Sequence, residues 1–146
     1  MFKFPLQTVL EYRTILEERI LIRFSEAVRR MEKEQNRLDV LVQKRADLVG
    51  TLKDLQESRT SVEKIAILFR GIEKLHEEEK GQREILSEAS VDVEAKRQDL
   101  LESVKKRKML ETLREKNLED YERSLADLDR KVMDEMGILR FDGAES

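Results

Sequence analysis

From residue 20 to residue 55 the chain reads ILIRFSEAVRRMEKEQNRLDVLVQKRADLVGTLKDL. Its apolar residues step by four and three: Ile20, Phe24, Ala27, Met31, Leu38, Leu41, Leu48, Leu52 and Leu55. Glu34 and Arg45 stand at the two steps where the pattern turns polar. That spacing holds the side chains on one narrow stripe of an α-helix, the seam of a coiled coil and not the wide face of a globular helix.

The stripe extends in both directions. Upstream it runs less regularly through Leu6, Val9, Leu10, Ile15 and Leu16, back to Pro5. A proline suits a helix start, because its missing N–H has no partner in the first turn anyway. Gly50 is the one soft spot, at about 1 kcal/mol against alanine. Downstream the pattern resumes with Leu86, Ala89, Val93, Leu100, Val104, Leu110, Leu113, Leu118, Tyr121, Leu125, Leu128, Val132 and Met136. The steps average a little more than a strict heptad, so little supercoiling is expected. Gly137 reads as a C-terminal cap, and residues 137–146 as a loosely ordered tail that leaves Ile138, Leu139 and Phe141 for docking.

Between the two stripes the texture changes. Ser58, Thr60, Ser61, Gly71 and Gly81 surround an apolar patch of Ile65, Ile67, Leu68, Phe69, Ile72 and Leu75. Glycines loosen a helix, and serine or threonine caps a new one. The segment therefore predicts a turn-back built from one or two short helices. An amphipathic arm cannot bury its stripe alone, and pairing within the chain is the simplest remedy. The expected fold is a single all-α domain, a long antiparallel two-helix coiled-coil hairpin with short helices at the turn-back tip. Arm one covers about 6–57, the tip about 58–85, arm two about 86–136 and the tail 137–146. Arms of about 50 residues are each about 75 Å long. Leu6 is then expected near Met136, and Leu41 near Leu101 or Val104. The competitor is one straight helix that dimerises; the glycines favour the hairpin, and with it a monomer.

Composition agrees. Of 146 residues 42% are charged, 39% hydrophobic and only 5% aromatic. That apolar content is too high for disorder, and charge this dense fits helices that bury narrow stripes. The net charge of −3 suggests neither a polyanion nor a polycation as partner. With no cysteine, a disulfide framework and thiolate metal sites are excluded. The longest apolar run, Ile65–Phe69, is too short to span a bilayer, and charges at Lys3, Glu11, Arg13, Glu17, Glu18 and Arg19 leave no signal-peptide core. A cytosolic protein is expected.

Catalytic chemistry is poorly supplied. His76 is the only histidine, and with Glu77–Glu79 it lacks the His-Glu-x-x-His zinc spacing. A solvated place near the turn is the plainer reading. None of the five glycines belongs to a phosphate-binding loop, and a two-helix hairpin offers hardly any concave, water-excluding site. No enzyme, cofactor, metal or small-molecule substrate is expected. The basic run Lys105–Lys108 is flanked by Glu102, Glu111 and Glu115 without interleaved aromatics, which makes it a solvated helix flank and not a nucleic-acid patch.

Both ends of the chain carry a resemblance. The opening Phe2-Lys3-Phe4-Pro5-Leu6-Gln7-Thr8-Val9-Leu10, followed by Arg13, Glu17, Glu18, Phe24 and Ala27, is similar to the start of the flagellar export protein FliJ family. The stretch Arg107–Glu115, with Tyr121 and then Lys131–Met136 around Asp134-Glu135, is similar to its close. The resemblance covers nearly the whole chain. It implies a non-enzymatic component of the bacterial flagellar type III export apparatus, similar in shape to the central stalk of rotary ATPases. The partners it implies are the hexameric export ATPase, whose ring the paired termini enter, the cytoplasmic domain of the membrane export gate, and chaperones of export cargo. Carried over by position, Arg13, Arg123, Arg130 and Lys131 are the ring contacts, and Arg37, Leu41, Lys44, Leu48, Leu68, Ile72 and Leu75 the gate contacts. The implied location is the cytoplasmic face of the inner membrane. The equivalent stalk of a virulence-type secretion system and a generic coiled-coil scaffold stay open as alternatives.

Overall fold

A computed structural model describes residues 1–58 and 61–145, with the side chains of 142, 144 and 145 left out. Thr60, expected at the turn, and Ser146, at the end of the expected tail, lie outside the described residues. Two helices account for nearly all of the chain: α1, Gln7–Glu57, and α2, Val62–Glu145. No strand occurs among the described residues. The fold is an all-α helical hairpin.

Two differences from the sequence expectation concern α2. The tip is not a set of short helices over 58–85, because α2 is already running at Val62. Ser61 starts it: its hydroxyl accepts the backbone N–H of Lys64 at 3.4 Å, as an N-cap does, and Glu63 places a carboxylate in the first turn. Gly71 and Gly81 stay helical, since no described glycine adopts positive φ. At Gly71 the missing side chain serves packing, for a Cβ there would stand 3.3 Å from the Leu48 side chain. The second difference is the tail. Gly137 does not cap α2, and the helix runs through it to Glu145.

The early turn resets the pairing. Each residue of α1 faces a partner on α2 roughly as far beyond residues 58–61 as it stands before them. Leu6 therefore does not meet Met136, which is 56% exposed; at that end of α1 the Phe2 ring lies against Tyr121, centroids 5.6 Å apart. Leu41 lies beside Gln82, with which it lines a groove, and not beside Leu101 or Val104.

By contacts the chain divides into two compact units, Arg19–Leu101, and Met1–Glu18 with Glu102–Ser146. In the first, the seam is as the spacing predicts: Ala27, Leu38 and Leu52 are buried, and Ile20, Phe24, Met31, Leu41, Leu48 and Leu55 are half-buried. Ala89 is the most buried apolar residue contributed by α2. In the second unit, Phe4 and Leu10 are buried. A backbone hydrogen bond from Gln7 to Phe4, at 3.1 Å, closes the turn that leads into α1.

Candidate functional site

The two polar steps of the α1 stripe are filled from across the seam. Glu34, only 7% exposed, accepts Gln82 Nε2 at its carboxylate at 2.6 Å. The same amide nitrogen donates to the Glu34 backbone carbonyl at 3.0 Å, and Arg37 reaches the carboxylate from its own helix at 2.9 Å. The bond from Gln82 first, and the Arg37 charge after it, hold Glu34 below the usual carboxylate range. Arg45 donates through Nε to Glu79 at 2.7 Å. Glu79 is fully buried; Arg83 approaches its second oxygen at 3.7 Å, outside hydrogen-bonding reach. Buried polar pairs of this kind fix which residues meet.

In the unit of Met1–Glu18 and Glu102–Ser146, Arg107 does comparable work. It pairs with Glu17 on α1 and with Glu111 on its own helix at 2.8 Å. These bonds, Glu17 first, raise its pKa above the ordinary guanidinium value. The basic run is thereby divided: Arg107 turns toward α1, and Lys105, Lys106 and Lys108 stay exposed.

The residues assigned to the gate fall into two groups. Leu41, Leu48, Leu68, Ile72 and Leu75 are half-buried and hold the helices together, whereas Arg37 and Lys44 are exposed. Arg37 belongs to a ridge of exposed cations with Arg29 and Lys33, beside Val40, which is 53% exposed. These residues line an open groove with Leu41 and Gln82. Arg29, Lys33 and Val40 are absent from the residues carried over from the resemblance. The steps of four and three from Arg29 through Lys33 and Arg37 to Val40, just off the apolar stripe, were the available signal. His76 is exposed, and no group of side chains among the described residues is arranged to hold a metal.

The residues assigned to the ring are less closely grouped. Arg13 is half-buried on α1, in the turn where Thr14 and Ile15 share a groove with Glu111. Arg123 lies about 12 residues, or about 18 Å, further along α2. Arg123, Arg130 and Lys131 are exposed, and Arg130 is paired with Asp127, at 3.4 Å on the same helix. They sit on a stretch of α2 that α1 does not cover: every residue from Glu122 to Phe141 is exposed. Leu125, Leu128, Val132, Met136 and Leu139 continue the apolar stripe there, 44–71% exposed.

The described residues thus present two facing helices, a set of exposed cations and a bare apolar stripe on α2. Over residues 2–146 the sequence matches the family described as flagellar FliJ protein, and the chain belongs to that family. Its members are non-enzymatic components of the flagellar type III export machinery. No curated protein and no solved structure matches the chain. No described helix is long and apolar enough to cross a membrane.

Proposed function

We propose that this chain is the stalk-like component of the flagellar export apparatus that inserts in the hexameric export ATPase, promotes its assembly and activity, and links it to the export gate. Family membership over residues 2–146 supports the reading. The observation that carries it is the uncovered stretch of α2, where Arg123, Arg130 and Lys131 flank a bare apolar stripe. A helix left without a partner in its own chain is suited to a partner outside it. Charge contacts at such a surface are individually weak and exchange readily, which suits attachment to six equivalent subunits by a single asymmetric chain.

The gate is met through Arg37 and Lys44, with Arg29, Lys33 and Val40 beside them, and an acidic face on the gate's cytoplasmic domain is the matching chemistry. Export chaperones are further partners. The protein works in the cytoplasm, held at the inner membrane by these attachments.

The test is stimulation of the purified flagellar export ATPase. Arg130→Glu with Lys131→Glu is expected to reduce stimulation several-fold while the far-ultraviolet helical signal stays at the parent level, because both side chains are exposed. Parent-level stimulation by the double variant would take these residues out of the ring contact.

A further inference from the structure

Within the unit Arg19–Leu101 the charges are not shared evenly between the helices. On α1, Arg23, Arg29, Arg30, Lys33, Arg37 and Lys44 are all exposed. At about 100° per residue they fall within an arc of about 120°, the flank of α1 that carries the open groove beside Gln82. Glu26 is the single acid inside that arc, and Glu32 borders it. Six cations less one acid leave +5 on this flank, in a chain whose net charge is −3. Among the described residues only Arg37 of the six is in an ion pair, with Glu34. The far face of α2 is the reverse: exposed Glu73, Glu77, Glu84 and Glu88 share it with Lys80.

The spacing of these cations indicates what they fit. They are separated by six, one, three, four and seven residues, which is no repeat. A partner helix or a nucleic-acid duplex holds its anions at fixed intervals and would meet only some of them. Headgroups in a fluid bilayer diffuse and gather under each cation wherever it stands. Ile22 and Val40, 58% and 53% exposed, lie on the same flank toward its two ends. Apolar side chains set among Arg and Lys suit the boundary between headgroups and acyl chains. The one aromatic in this stretch, Phe24, is half-buried in the seam, so none is offered for stacking on bases. We infer that this flank of α1 binds the surface of an anionic lipid bilayer, with the helix lying along it for about 33 Å. The acidic face of α2 then points away from the lipid, which favours one orientation.

Arg29, Lys33, Arg37 and Lys44 also belong to the gate contact proposed above, whereas Ile22, Arg23 and Arg30 do not. The lipid contact does not depend on the gate, and these three positions test it separately.

The test is cosedimentation of the full chain with vesicles of equal parts phosphatidylglycerol and phosphatidylcholine at low salt. Binding is expected there and not on pure phosphatidylcholine, and it should fall as ionic strength rises. Each cation near an anionic surface is worth about fivefold in affinity. Arg23→Gln with Arg30→Gln should therefore weaken binding on the order of 25-fold. Removing as much charge from α2, in Lys105→Gln with Lys106→Gln, should leave binding near the parent level. The chain has no tryptophan, so Ile22→Trp places a single reporter on the flank, and its emission should shift to the blue on the vesicles. Val91→Trp, on the acidic face of α2, should not shift. No binding to the anionic vesicles at low salt, equal losses from the two double variants, or a blue shift at 91 matching that at 22 would each overturn the inference. So would tighter binding to polyglutamate or to duplex DNA than to the vesicles, which would give the flank to a protein or a nucleic acid.

Discussion

Arg45 and Glu79 meet at 2.7 Å inside the seam, and the carboxylate is fully buried. A carboxylate removed from water stays charged at tolerable cost only when a cation stands against it. Arg83, at 3.7 Å, is a weak substitute. Breaking a buried pair costs about 3–5 kcal/mol, but Arg45 keeps 35% of its side chain exposed, so water relieves part of the loss. Arg45→Ala is therefore expected to lower unfolding stability by about 2 kcal/mol, read as a shift of the urea midpoint. Replacing Glu79 as well, in Arg45→Met with Glu79→Met, should recover most of it. A midpoint unmoved by Arg45→Ala would mean that Glu79 is reached by water. As a sequence, Glu34 and Arg45 read only as interruptions of an apolar stripe. Their partners stand 48 and 34 residues away, and no local pattern connects them.

At the scale of the helix, local signals fixed type better than extent. Spacing by three and four made α1 legible, and its observed end at Glu57 coincides with the expected end of the first arm. The glycines misled. A single glycine lowers helix stability by about 1 kcal/mol, a penalty that a packed seam tolerates, so Gly71 and Gly81 sit inside α2. Their surroundings differ: an added Cβ at Gly81 meets nothing within 4 Å, whereas at Gly71 it crowds Leu48. Gly81→Ala is expected to raise stability by about 1 kcal/mol, and Gly71→Ala by less, because Leu48 has to shift. Equal thermal melting shifts for the two variants would show that Leu48 does not press on Gly71. Gly137 misled in the same way at the other end of α2, where a residue suited to capping is simply carried along.

Across the whole molecule, the point of reversal decides which surfaces are left over. With α1 ending at Glu57 and α2 starting at Val62, Leu48 meets Gly71, Phe2 meets Tyr121, and α2 is bare from Glu122 onward. Paired cysteines report this directly. Leu48→Cys with Gly71→Cys is expected to close within one molecule under mild oxidation, whereas Leu6→Cys with Met136→Cys is not. An intramolecular bond between 6 and 136 would restore the later turn.

The register also sorts the residues carried over from the resemblance into exposed and seam positions. Arg123, Arg130 and Lys131 were named from the resemblance, and they are exposed because the helix bearing them has no neighbour. Leu48, Leu68, Ile72 and Leu75 were named with them, and the seam takes them up.

By itself the sequence determined that this chain is helical and that each helix carries one apolar stripe. Those properties follow from residue spacing, which is local. Only the tertiary structure decided the register, and with it the length of α2 left uncovered. A repeating apolar stripe packs almost equally well after sliding by a heptad, so the choice falls to contacts that repeat nowhere else: the Ser61 cap, the close approach at Gly71, and the buried partners of Glu34 and Arg45.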